Sequence, residues 1–182
     1  IQTPESIDPE QTNPNAPWVS APVSDVGSSN PIVARVFIQN EEILNTAVFD
    51  GFDIKKEQVV LHLHAIKETL IACEKISLKI AKNINQIIEK ITNAGIPKDN
   101  YGRGFNPFPQ APDLDSDCSA FLVQANRALK LICELPKFFF ALEKIDSNFE
   151  YLSKTLSGVA GVNSPLTEFT KNNAHSARYL ID

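Results

Sequence analysis

The fold is decided by residues 53–95, which read DIKKEQVVLHLHAIKETLIACEKISLKIAKNINQIIEKITNAG. Apolar residues recur there at steps of three and four, which places them in one stripe along a helix, whereas a strand would need strict alternation. Asp53 can accept from the free amides of a first turn, and Gly95 followed by Pro97 is typical of a helix end. The stretch therefore predicts a helix over residues 54–94, about 60 Å long. Its stripe comprises Val59, Leu63, Ile66, Leu70, Cys73, Ile76, Ile80, Ile84, Ile87 and Ile91.

A second periodic stretch predicts another long helix, over residues 115–157. Its apolar residues again follow at steps of three and four, with a mean spacing of about 3.5 typical of a coiled-coil seam, and Gly158 ends the pattern. Pro136 interrupts the stretch, because proline lacks a backbone N–H and clashes with the preceding turn. We therefore expect the helix to be kinked or broken at Pro136.

Shorter helices are predicted on either side of these two. Asn30 and Pro31 suit the N-cap and first position of a helix over residues 31–49, although the β-branched run at 32–38 is also compatible with a strand. Ser164 and Pro165 can begin a short helix over residues 165–172, before a polar run loosens the apolar pattern. Residues 31–182 are thus expected to form a single helical domain.

The two long stripes determine the expected architecture. Helices of similar length joined by one loop must run antiparallel to bury their apolar faces on each other. The sequence therefore predicts an all-α fold, an elongated helical bundle built around an antiparallel pair of long helices. A helix pair alone leaves much apolar area in water. The first helix, the C-terminal segment or a second copy in a homodimer must cover the rest.

Residues 1–30 differ in composition from the rest of the chain. They contain five prolines among polar residues, and four acidic side chains without a basic one. Such a segment buries too little apolar surface to offset its ordering entropy, so we expect a flexible, acidic arm. Trp18 is its one large anchor, and it can dock on the body of the protein or on a partner.

Composition excludes some classes of function. The net charge of −5 is mild, and the acidic arm contributes much of it, so the helical body is close to neutral. Near-neutrality argues against nucleic acid as a partner. No apolar run approaches the roughly 20 residues that cross a bilayer. The chain begins at Ile1 and contains no methionine, which fits removal of a secretory signal or a trimmed sequence, and the first interpretation favours a secreted location.

Motifs for catalysis, cofactors or metals are not found in the sequence. Cys73, Cys118 and Cys133 have neither CxxC nor Cys/His spacing, so buried free thiols are favoured over a disulfide. His64 and Glu68 would supply only half of a metal site. The alternating acids that begin at Asp113 lack the glycine and glutamate of a calcium loop, and they suit the start of a helix. We therefore predict no metal, no cofactor and a non-enzymatic protein.

Two groups of residues are candidates for binding a partner protein. The loop after Gly95 carries aromatic side chains that can pack on the bundle or contact a partner. Lysines along one side of the first long helix can meet an acidic partner, although a solvated face is the more common role of such a row. Together with Trp18, these candidates are Tyr101, Phe105, Phe108, Lys75, Lys79 and Lys82.

Phe138, Phe139 and Phe140 are the candidate for an apolar ligand site. Consecutive helical residues point about 100° apart, so three rings cannot enter one seam together. They pack against further helices, or they line a cavity beside Pro136. The leading functional hypothesis is a protein-interaction module, such as a host-directed or scaffolding factor. A carrier of a lipid or another apolar molecule and a structural helical oligomer are the alternatives.

Overall fold

The computed structural model describes residues 26–46, 54–96, 98, 101–102, 110–140, 142, 145 and 148–178. Within these ranges the chain is helical and contains no β-strand, which confirms the predicted all-α class. None of the described helices is long and apolar enough to cross a membrane. The predicted arm lies outside the described residues up to position 25. The elements are a π-helix (Val33–Ile38), α1 (Gln39–Thr46), α2 (Lys56–Ala94), α3 (Leu114–Glu134), a 3-10 helix (Leu135–Phe138), α4 (Phe149–Val159) and α5 (Pro165–Arg178).

Helix α2 is the longest of the described helices. Its 39 residues extend over about 58 Å. Gly95 ends it with φ 71°, and its N–H donates to the Ile91 carbonyl at 2.9 Å. Lys55 occupies the N-cap position without a side-chain hydrogen bond, so the helix begins later than a cap at Asp53 would place it. Asp53 itself lies outside the described residues.

Helices α2 and α3 run antiparallel, as the sequence predicts. The His62 ring contacts the Leu131 carbonyl through Nε2 at 2.7 Å. Further along α2, Lys79 Nζ lies 2.8 Å from Asp117 Oδ1. The contact positions rise along α2 while they fall along α3, and this order is possible only in an antiparallel pair.

The second long stretch is broken rather than kinked. The α-helix ends at Glu134, and buried Pro136 lies in the 3-10 helix that follows. Among the described residues, the next helix begins at Phe149, where Asn148 Oδ1 accepts from the Glu150 N–H at 2.8 Å. Proline cannot donate to the preceding turn, and the new N-cap begins a separate helix.

The segment before α2 is helical, which rules out the strand alternative there. Asn30 Oδ1 accepts from the Ile32 N–H at 2.7 Å, as expected of a cap. The amide nitrogen of Asn30 also donates to Glu74 Oε2 at 2.7 Å and thereby ties this helix to the middle of α2. The described part of α1 ends at Thr46, and residues 47–49 lie outside the description.

Two apolar clusters hold the helices together. The central core joins α1 to the first half of α2 through Leu44, Val59, Leu63 and Ile66. The C-terminal core joins the end of α3 to α4 and α5, and Ile132 packs against both clusters. Its buried members are Cys133, Phe149, Leu152, Leu156 and Ala177.

Burial is confined to one end of the helix pair. No residue of α2 after Ile71 is fully buried, and none of α3 before Ala125 is. We call residues 72–94 of α2 and 114–124 of α3 the distal halves. The described parts of α1, α4 and α5 pack at the opposite, proximal end.

Candidate functional site

A groove of about 830 Å³ lies between the distal halves of α2 and α3. We call it the distal groove. Its α2 wall consists of isoleucines, and its other wall is the first part of α3 with the two residues at positions 110 and 111. The lining residues are Ile84, Ile87, Ile88, Gln110, Ala111, Asp113, Leu114, Asp115 and Cys118.

The α2 wall continues the stripe that forms the core. Ile66 and Ile84 are eighteen residues apart, which is five full turns, so their side chains leave the helix in the same direction. Ile66 is 3% exposed in the central core, whereas Ile84 is 40% exposed and Ile88 is 55% exposed. The apolar face therefore extends beyond the helices that cover it.

The α3 wall has the same character. Leu114, Cys118 and Leu122 follow at steps of four, which places them on one face of α3, and Ala111 precedes the helix. Leu114, Cys118 and Leu122 are all exposed. At the proximal end, the corresponding space between the helices is filled by Leu44, Phe138 and Phe139. No described helix packs over the distal groove in the way that these residues pack at the proximal end.

The two charged residues in the described part of the lining are acidic. Asp113 adopts a left-handed conformation with φ 58°, and its carbonyl accepts from the Asp117 N–H at 2.9 Å. Asp113 and Asp115 lie in the lining, and its described residues include no lysine, arginine or histidine. Asp117 is instead bound to Lys79. That hydrogen bond raises the pKa of Lys79 against a smaller opposing effect of desolvation, and the charges of Asp117 and Asp113 raise it further.

The predicted lysines lie on the side of α2 away from the groove. Lys75 and Lys82 are exposed, and each points about 160–180° from Ile84 around the helix. Lys79 reaches α3 and fixes the helix pair through Asp117. Tyr101 is 86% exposed. Trp18, Phe105 and Phe108 lie outside the described residues, so their predicted roles stay predictions.

The three consecutive phenylalanines are divided between the two cores. Phe138 and Phe139 pack against the central core, and Phe140 packs against the C-terminal core. The Phe138 ring also lies 5.1 Å from the His62 ring, centroid to centroid. Phe138 ends the 3-10 helix, whereas Phe139 and Phe140 follow it, so the rings reach different parts of the core. An apolar-ligand site at these rings remains a prediction.

The cysteines are free thiols in three different environments. Cys133 is fully buried, and this burial, with the nearby Glu134 charge, raises its pKa to about 11. Burial also raises the pKa of half-buried Cys73. Cys118 is exposed in the distal groove. In the described ranges, no group of three or more His, Cys, Asp or Glu residues could hold a metal ion.

Sequence reasoning missed the groove as a candidate site. The sequence places Ile84 and Ile87 in the stripe of the first long helix, which it predicts to pack on the second. The groove could have been inferred from one feature of the sequence: the two stripes are longer than any other predicted helix that could cover them. Comparisons of the chain with protein-family models, with curated proteins and with solved structures find no match.

Proposed function

We propose that the protein is a non-enzymatic interaction module that receives a helix of a partner protein in the distal groove. The supporting observation is the open apolar groove between two antiparallel helices. A helix that enters such a groove presents apolar side chains at positions i, i+3, i+4 and i+7. This mode of binding needs no catalytic group or cofactor.

The dimensions of the groove favour a helix as the occupant. The apolar face of α3 extends from Leu114 to Leu122, a rise of eight residues and therefore about 12 Å, or just over two helical turns. At the proximal end, helical elements already occupy the space that the groove continues. A partner helix would repeat that packing with side chains of the same kind.

Two other functions have some support from the same surface. The volume of about 830 Å³ lies within the range of roughly 300–1,000 Å³ for small-molecule sites, so an apolar ligand could bind in the groove instead. The exposed isoleucines could also pack on a second copy of the chain. The host-directed or scaffolding role and the secreted location remain predictions from the sequence.

The test uses a synthetic amphipathic helical peptide of about five turns, with Leu and Ile at the four positions named above. Titration into the isotopically labelled full chain should shift backbone amide NMR signals of the distal halves. Ile88→Lys should abolish binding by placing a charge in the groove. Leu61→Lys is the matched control, because Leu61 is an exposed apolar residue of α2 outside the groove lining.

The control variant should bind the peptide with the same affinity as the unsubstituted chain. Absence of binding up to about 1 mM peptide would refute the proposal. An equal loss of peptide affinity in the two variants would also refute the proposal, because binding would then depend on exposed apolar surface in general and not on the groove. Signal shifts confined to the proximal cores would place any binding elsewhere.

A further inference from the structure

The distal groove carries negative charge near one end of its apolar walls. Asp113 and Asp115 belong to the lining, and they lie at the first turn of α3. Because α2 runs antiparallel to α3, the Ile88 end of α2 lies at this same end of the groove. The third acid of the turn, Asp117, is bound to Lys79 and lies outside the lining. Among the described lining residues, a partner in the groove therefore meets two carboxylates and no basic side chain.

We infer that the partner helix is a basic amphipathic helix, with lysine or arginine placed at the end that lies over Asp113 and Asp115. This inference rests on the proposed function and adds the chemistry of the partner. Lysine and arginine suit the position because their aliphatic stems can lie along an apolar wall while their charged ends reach a carboxylate. Here the wall beside the carboxylates is Leu114.

The same charges disfavour the other occupants. An acidic helix would bring like charges together where the groove partly excludes water, which costs binding free energy. A second copy of the chain would present a groove with the same two acids. Acidic residues in a first turn also stabilise their own helix through its dipole. Their position within the lining of an apolar groove is what makes them available for recognition.

The experiment compares two synthetic peptides that share one apolar face. The first carries lysines at two flanking positions near one end, and the second carries glutamates at the same positions. Binding to the full chain is measured by fluorescence anisotropy at about 0.02 M and about 0.5 M NaCl, where charges are screened weakly and strongly. The lysine peptide should bind about tenfold more tightly at low salt, with most of the difference lost at high salt.

Two double variants assign the effect to residues. Asp113→Asn with Asp115→Asn should remove the preference for the lysine peptide and leave the apolar contribution to binding. Glu42→Gln with Glu57→Gln is the matched control, because it removes two exposed charges near the proximal end. The control variant should keep the full preference.

The outcomes separate this inference from the proposed function. Failure of both peptides to bind would overturn the groove as a docking site. Equal, salt-independent binding of the two peptides would overturn the inference while the proposed function stands. A preference that survives Asp113→Asn with Asp115→Asn would also overturn it. A dimer, seen by sedimentation, that competes with the peptides would make a second copy the occupant and overturn the basic partner.

Discussion

Ile66 and Ile84 allow a direct test of where the folded protein is stabilised. Both are isoleucines on the same face of α2, five turns apart. Ile66 belongs to the central core, and Ile84 lines the distal groove. Each is replaced by alanine in a separate variant. Because residue type, helix and direction are matched, the difference in the free energy of unfolding reports the difference in burial.

The expected magnitudes follow from the exposed fractions. Ile66 is 3% exposed, so Ile66→Ala removes buried apolar contacts and leaves a cavity, at a cost of about 3 kcal/mol. Ile84 is 40% exposed, so Ile84→Ala loses only part of the transfer free energy and opens no enclosed cavity. The higher helix propensity of alanine returns a few tenths of a kcal/mol. The net cost at Ile84 is about 1 kcal/mol.

Urea unfolding followed by far-ultraviolet circular dichroism measures both costs. With a slope of about 2 kcal/mol per molar urea, the midpoint should fall by about 1.5 M for Ile66→Ala and by about 0.5 M for Ile84→Ala. The slope itself should not change. Equal shifts in the two variants would refute the reasoning, because the groove would then be filled in solution. If the midpoint shift of Ile84→Ala grows with protein concentration, a second copy of the chain fills the groove.

Substitutions of three other side chains should change the stability of the folded protein. Burial raises the pKa of Cys133 to about 11 from 9.0, so unfolding releases a proton between these values. Stability should fall as pH rises from 9 to 11, and Cys133→Ala should reduce that fall in urea titrations. Ser164→Ala removes the oxygen that accepts from the Thr167 N–H at 3.2 Å, and it should cost about 1 kcal/mol in thermal unfolding. Lys67 is buried with its ammonium 2.8 Å from Glu68 Oε1 and 5.1 Å from the centroid of the Phe37 ring, and Lys67→Met should cost about 1–2 kcal/mol in urea unfolding because it removes both contacts and leaves that buried oxygen without its partner.

The sequence predicted α2 well because its signals are local. The apolar stripe, the glycine that ends the helix and the length of the helix can all be recognised within residues 53–95, without reference to the rest of the chain. The last helix was predicted too short for an equally specific reason. Thr170 begins the polar run that loosens the apolar pattern, yet it is buried, and its hydroxyl donates to the Leu166 and Thr167 carbonyls. A threonine with a satisfied hydroxyl can act as a core residue, so the helix continues to Arg178.

The groove could not be predicted in the same way. Ile66 and Ile84 have the same periodicity, and only the position of other helices makes one buried and the other exposed. The positions of those helices depend on contacts between distant parts of the chain, such as the hydrogen bond from Asn30 to Glu74. The lysine row was predictable as a solvated face because its spacing is local. Its member Lys79 pairs with Asp117 from a distant part of the chain.

The confinement of burial to one end predicts a gradient of local stability along α2. Amides near Val59 and Leu63 lie beneath the central core, so they should exchange with solvent only when the whole protein unfolds. Amides near Ile84 and Ile88 have few buried contacts, and local opening of the distal halves should let them exchange sooner. Hydrogen exchange followed by mass spectrometry measures both. A peptide bound in the groove should slow exchange in the distal segment and leave the proximal one unchanged, because only the distal one gains buried surface. Uniform protection along α2 without a peptide would contradict this account, since it would mean that the distal helix pair is already covered.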